Sequence, residues 1–218
     1  MSSVLPLSPD ELLSTTRAVR KRLDLERPVE REVLEGCLRL AQQAPSGSNT
    51  QGFHFIVVTE ADQRRALSEI WLRGYELYKS LPISVHQMSY EEPSQQSAQP
   101  RITASVDYLA EHIADVPVHV IPCVLGRTDG QPAAFQAAVW GSVMPAVWSF
   151  MLALRSRGLG SCWTSFAQIF EEETAGVLGV PFAEVSQVAL LPVAYTVGTD
   201  FKAASRLPLD KIVHWERW

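Results

Sequence analysis

"AQQAPSGSNTQGFHFIVVTE", residues 41–60, passes from a helical pattern through a polar loop into an apolar strand. Upstream, Val33, Leu34, Cys37, Leu38 and Ala41 recur at helical spacing, and Pro45 stops the stripe. Downstream, "FHFIVV" (53–58) reads as a buried strand. Between them Pro45, Ser46, Gly47, Ser48, Asn49, Thr50 and Gln51 fall in one burst. By composition the burst is a connector; its small polar groups are also what a ligand-facing loop needs.

The same mixture extends outward. Ser8-Pro9-Asp10-Glu11 predicts a helix to about Thr16, with Ser8 as N-cap and Glu11 completing a capping box. Residues 62–80 read as helix, whereas 81–100 are polar, proline-punctuated and rich in Gln and Ser, the composition of a surface excursion or lid. A helix over 101–116 leads into a strand at "VHVIPCVL" (118–125). Residues 132–157 predict a long, almost wholly apolar helix ended by Gly158. Such a helix implies burial on all sides, more easily met in a dimer interface than inside one small domain. A further helix over 166–180 and a strand region over 185–198 follow. Helices and strands mix without strict βαβ alternation, so the class is α+β, in one domain over 1–218.

With 218 residues, 46% hydrophobic and 20% charged, the chain can bury a substantial core. A net charge of −5 argues against a nucleic-acid-binding face. Cys37, Cys123 and Cys162 sit in apolar stretches and read as buried, reduced thiols. The start, "MSSVLPLSPDELLSTTRAVRKRLD", lacks the pattern of a targeting peptide. The longest apolar stretch, Val139–Leu154, is interrupted by Gly141, Ser142, Pro145 and Ser149 and is shorter than the ~20 residues of a membrane span. A soluble cytoplasmic protein without membrane or nucleic-acid partner is expected.

Three features carry chemistry. Arg17, Arg20, Lys21 and Arg22 follow the first helix, where cations also simply favour a helix C-terminus. Arg206 lies near the other end of the chain; the two sites matter together if they meet one phosphate, which arginine binds bidentately. "GLGSCWTSF" (158–166) fails the dinucleotide fingerprint. It is either a helix–helix turn or a corner whose amides at Trp163, Thr164 and Ser165 donate to a bound heterocycle or anion. No GxSxG, HExxH or Walker lysine loop occurs, and His54, His86, His112, His119 and His214 lack metal-ligand spacing. Neither a metal site nor a protein nucleophile is expected.

In series, "TTRAVRKRLD", "APSGSNTQGFHFIVV", "GLGSCWTSF" and "SRLPLDKIVHWERW" resemble the FMN-dependent nitroreductase superfamily over nearly the whole chain. The resemblance implies a central mixed or antiparallel sheet flanked by helices, an intertwined homodimer, and two FMN sites at the subunit interface. It implies that Arg17 and Arg206 bind the FMN phosphate and that Arg20 or Lys21 faces the pyrimidine edge. Pro45, Ser46, Asn49 and Gln51 would reach the flavin held mainly by the other subunit, and Thr164 or Ser165 would offer a backbone donor near N5. Ala204 stands where the family often has a lysine, with Lys202 nearby.

The implied activity is hydride transfer from NADH or NADPH through FMN to a nitroaromatic, quinone or similar electron-poor acceptor, with ping-pong kinetics. Trp71, Tyr75, Tyr78, Met88 and Tyr90 would either stack on a flat acceptor or pack the excursion onto the core. Two other readings stand beside this one. The first is a specialised superfamily member, flavin-consuming, dehalogenating or enoate-reducing; the second is a non-catalytic FMN-binding redox sensor.

Overall fold

In the computed structural model, which describes residues 4–218, a five-stranded sheet carries helices on both faces. The strands are β1 (Phe53–Val58), β2 (Val118–Leu125), β3 (Leu159–Ser161), β4 (Val185–Gln187) and β5 (Leu191–Tyr195). Their spatial order is β1-β2-β5-β3, with β4 also paired to β2, and the strand pairs are antiparallel. The helices are α1 (Pro9–Thr15), α2 (Arg31–Ala41), α3 (Ala61–Ser80), α4 (Pro93–His112), α5 (Ala133–Ser156) and α6 (Glu171–Leu178). The α+β class is as the sequence indicates.

β2 is the centre of the molecule. Val118, Val120 and Val124 face a core shared with α2 and α5, while Ile121 and Cys123 face a second core built on α3 and α4. A strand covered on both faces reads as a continuous apolar run, which is why "VHVIPCVL" stands out. Pro122 is tolerated there because β2 changes neighbour around it. β5 pairs at Val118–Val120 and β4 at Cys123–Leu125, so the missing N–H falls between two ladders. His119 is fully buried, its Nε2 2.9 Å from the Ile113 carbonyl oxygen. Burial pushes its pKa down to about 4 despite that hydrogen bond, so the ring is neutral.

Three expectations change. The excursion ends earlier than expected, because α4 begins at Pro93 and runs through Pro100. Gln99 Nε2 donates to the Val85 and Met88 carbonyls, so tertiary bonds hold the turn that the proline weakens. "GLGS" is not a helix–helix turn: Gly158, at φ 75°, ends α5 and β3 then pairs with β5. The helix expected over 166–180 divides into a 3₁₀ turn at Ala167–Phe170 and α6. Within one chain α5 is not buried on all sides, which leaves the burial expected of it to a second subunit. Val143, Val147, Phe150 and Leu154 point inward, but Phe135, Met144 and Trp148 are exposed. At 24 residues α5 is long and apolar enough to cross a membrane by length and composition; its inner side is part of the core against α2.

Trp71 and Tyr75 are buried in an aromatic cluster with Phe166 and Tyr78, which overturns their reading as acceptor-stacking residues. Met88 is exposed and Tyr90 partly so; the Tyr90 hydroxyl lies 3.8 Å from the Met88 sulfur.

Candidate functional site

The basic segment is positioned by two apolar anchors. Ser8 caps α1 as expected, with reciprocal bonds between Ser8 and Glu11 of 2.8 and 3.2 Å. Beyond α1 the chain is extended, and Val19 and Leu23 are buried. The Val19 N–H donates to the Ser161 carbonyl at 2.9 Å, which docks the segment on β3. Gly160 makes that approach possible, since a Cβ there would lie 2.8 Å from Val19 Cβ. With Val19 and Leu23 turned inward, Arg17, Arg20, Lys21 and Arg22 are left to line a cleft of about 610 Å³.

The C-terminal segment closes the other side. Gly198, at φ 75°, turns the chain after β5. Arg22 then donates from Nε to the Val197 carbonyl at 2.8 Å and from Nη2 to Asp200 Oδ1 at 2.6 Å. That hydrogen bond holds the Asp200 carboxyl below the usual aspartate range. Arg17 Nη1 donates to the Lys202 carbonyl at 3.1 Å, and Arg206 reaches the same cleft.

A third wall was not foreseen: α4 presents Arg101, Ile102, Ala104 and Ser105 to the cleft. Arg20 Nη1 donates to Ser105 Oγ at 3.2 Å, while Arg20 Nε is buried without a partner among the described residues. Cys162 lies against the same guanidinium; burial raises its thiol to about 11 although Arg20 opposes the shift. No sequence pattern marks Arg101, because its place depends on how α4 packs.

A model of the nitroreductase family matches residues 13–198. The chain belongs to that family. Solved structures of the same fold include an FMN- and NADPH-dependent nitroreductase from Sphigopyxis sp. strain HMH, with 23% identity and a TM-score of 0.68 over 97% of this chain and all of that one. A Mycobacterium smegmatis FMN-dependent nitroreductase in complex with NADPH matches at 20% identity and a TM-score of 0.67, over 95% of this chain and 97% of that one. An iodotyrosine deiodinase bound to FMN and 3-iodo-L-tyrosine matches at 20% and 0.68, over 94% and 98%. At these identities the likeness concerns the fold.

Within this family member, the structure brings Arg17, Arg20, Lys21 and Arg206 into one cleft. The loop Pro45–Gln51 is not part of it. Gly47 N–H donates to Ser142 Oγ of α5 at 2.9 Å, and the Ser46 hydroxyl accepts from the Gln51 N–H at 2.9 Å. Asn49 Oδ1 accepts from Gln51 Nε2 at 3.3 Å. Ser48, Asn49 and Gln51 all have positive φ, at 51°, 55° and 49°. Such backbone is costly for non-glycine residues and gathers at functional sites.

The corner at 163–165 also lies outside the cleft wall. Thr164 is buried; its N–H goes to the Leu190 carbonyl at 3.2 Å, and its hydroxyl bonds Leu190 and Trp71. Its amide therefore holds β3 to the strand region and is not offered outward. Ser165, next along, is exposed.

Proposed function

We propose that this nitroreductase-family chain is an FMN-dependent oxidoreductase. It takes hydride from NADH or NADPH and delivers it to a nitroaromatic, quinone or similar electron-poor acceptor, as a cytoplasmic homodimer of single-domain subunits. The observation that carries this reading is the meeting of Arg17 and Arg206, from opposite ends of an acidic chain, in one basic cleft.

The residues present fit the cofactor. A phosphate of about −2 charge suits two arginines that have no carboxylate partner among the described residues. Arg20, with one buried Nε donor unpaired, has a hydrogen bond to give. When bound, FMN supplies two-electron transfer between the nicotinamide and the acceptor. Arg17 and Arg206 bind its phosphate, and Arg20 or Lys21 favours negative charge at the pyrimidine edge. Of the two amide donors considered, Ser165 is the one proposed, because the Thr164 N–H is engaged with Leu190.

The exposed apolar side of α5, with Phe135, Met144 and Trp148, supports the homodimer. A second subunit placed there would bring its own Pro45, Ser46, Asn49 and Gln51, which pack on α5 through Gly47, toward a flavin held across the interface. Donor and acceptor then use the site in turn, which gives ping-pong kinetics.

The test is to add FMN to the purified protein, remove excess, and record the flavin band and the oxidation of NADH or NADPH with a quinone. A yellow dimer with parallel double-reciprocal plots is expected. A colourless protein overturns the assignment. A yellow dimer whose band is bleached by neither nucleotide makes it a flavin-binding sensor instead.

A further inference from the structure

The basic cleft holds more positive charge than one flavin phosphate uses. Arg17, Arg20, Lys21 and Arg22 enter it from the N-terminal segment, Lys202 and Arg206 from the C-terminal segment, and Arg101 from α4. One carboxylate, Asp200, also lines it, and Arg22 already holds that group. A phosphate monoester brings about −1.5 to −2 at neutral pH. The FMN contacts proposed above leave Arg101 and Lys202 without a task. Among the described residues Arg101 makes neither an ion pair nor a side-chain hydrogen bond, and it is exposed.

Its helix is nevertheless firmly placed. Gln99, Thr103 and Asp107, on one side of α4, hold the excursion through the Val85 carbonyl, at 2.8 and 3.5 Å, and through His86 Nε2 at 3.0 Å. Val106 and Leu109 are buried in the α3–α4 core. The remaining side carries Ser105, which accepts from Arg20, and Arg101 one turn before it. Arg101 is thus a free guanidinium on a fixed support at the rim of a cleft whose field concentrates anions.

We infer that Arg101 is a specificity residue: it pairs with an anionic group, phosphate or other acid, on the donor or acceptor that enters beside the flavin. This rests on the FMN reading. Two sources offer that chemistry, the 2′-phosphate that distinguishes NADPH from NADH and an acid group on the acceptor.

The experiment uses FMN-loaded wild type, Arg101→Gln and Arg101→Lys. Two pairs of probes differ mainly in one anionic group: NADPH against NADH, and 1,4-naphthoquinone-2-sulfonate against 1,4-naphthoquinone. Calorimetry gives the affinity of each oxidant and of 2′,5′-ADP against 5′-AMP for the oxidised holoprotein; steady-state kinetics gives KM. Wild type is expected to prefer the more anionic member of one pair, which identifies the source. Arg101→Gln should cut that preference about tenfold with FMN affinity unchanged, and Arg101→Lys should restore part of it. Equal preferences in wild type and Arg101→Gln, with FMN bound, overturn this inference and leave the FMN reading standing. Weakened FMN binding in Arg101→Gln overturns it differently, by placing Arg101 in the phosphate cradle. A protein that takes up no FMN overturns the underlying reading and this inference with it.

Discussion

Arg22 Nη2 and Asp200 Oδ1 meet at 2.6 Å and lock the two ends of the chain over one another. The Phe201 ring lies 4.2 Å from the same guanidinium, so the segment that carries Lys202 and Arg206 is held by charge and by stacking. Asp200→Asn should loosen that segment and speed FMN loss, read from the fluorescence of released flavin. The pH dependence has a definite sign. Because the carboxyl titrates below the ordinary aspartate value of about 3.9, the contact is complete above that pH and fails as the medium is acidified through the lowered pKa. Wild type and variant should therefore differ from pH 5 to 8 and converge in acid. A difference that persists in acid would place the effect elsewhere.

Arg17→Ala and Arg206→Ala should each weaken FMN by roughly 1.5–3 kcal/mol, about ten- to a hundredfold, without unfolding the protein. Added salt should weaken wild-type FMN binding more than that of either variant, since each has one charge fewer facing the phosphate. Unchanged FMN affinity in both variants would remove the phosphate assignment.

The residues that turned out legible in the sequence are those whose role is local. The Ser8–Glu11 cap, the β1 run and the β2 run each follow from spacing over a few positions. Arg17, Arg20 and Lys21 lie too far from Arg206 in sequence for spacing to group them; the need of one phosphate for two cations and the resemblance pair them, and they do share a cleft. What was hidden depends on tertiary context. Pro100 reads as a stop until Gln99 is seen bonded to the excursion, so the helix expected from Arg101 lacked its first turns, 93–100, and the face it turns to the cleft went unread. "LGS" is too short to announce itself as a strand without β5 beside it. Thr164 reads as a free amide until Leu190 is in place across from it.

His119 should give the fold a pH slope of its own. Burial lowers its pKa to about 4, against about 6.5 in an unfolded chain. Below pH 6.5 the unfolded state takes up a proton that the native state refuses, so stability falls until about pH 4, where both are protonated. The loss amounts to roughly 3 kcal/mol over that window by linkage. His119→Gln keeps an N–H for the Ile113 carbonyl and should flatten that part of the denaturation profile. A variant with the same slope would assign it to other groups.

Gly160→Ala tests whether β3 positions the basic segment. The new methyl would lie 2.8 Å from Val19 Cβ and 2.7 Å from Thr196 Cγ2, closer than packed carbons tolerate. Relief requires Val19 to move off β3, carrying Arg17 and Arg20 with it. A destabilisation of about 1–3 kcal/mol is expected, together with weaker FMN binding in protein that is still folded. Stability lost with FMN affinity intact would show that the cations find the phosphate without the Val19 anchor.

The loop Pro45–Gln51 needs a pair of variants, because its backbone and its side chains are separable. Asn49 sits at φ 55°, so Asn49→Ala removes the amide and also puts a methyl side chain in left-handed backbone. Asn49→Gly removes the same amide while suiting the conformation. If the Asn49 side chain serves a flavin across the dimer, both variants should lose FMN affinity or turnover to a similar degree while remaining dimeric by size-exclusion chromatography. If the loop matters only through its shape, Asn49→Gly should behave as wild type and Asn49→Ala alone should suffer. The Gln51 side chain, held to Asn49 Oδ1 at 3.3 Å, is released in both cases. Gln51→Ala therefore completes the comparison: an effect equal to that of Asn49→Gly would mean that the two side chains act as one unit.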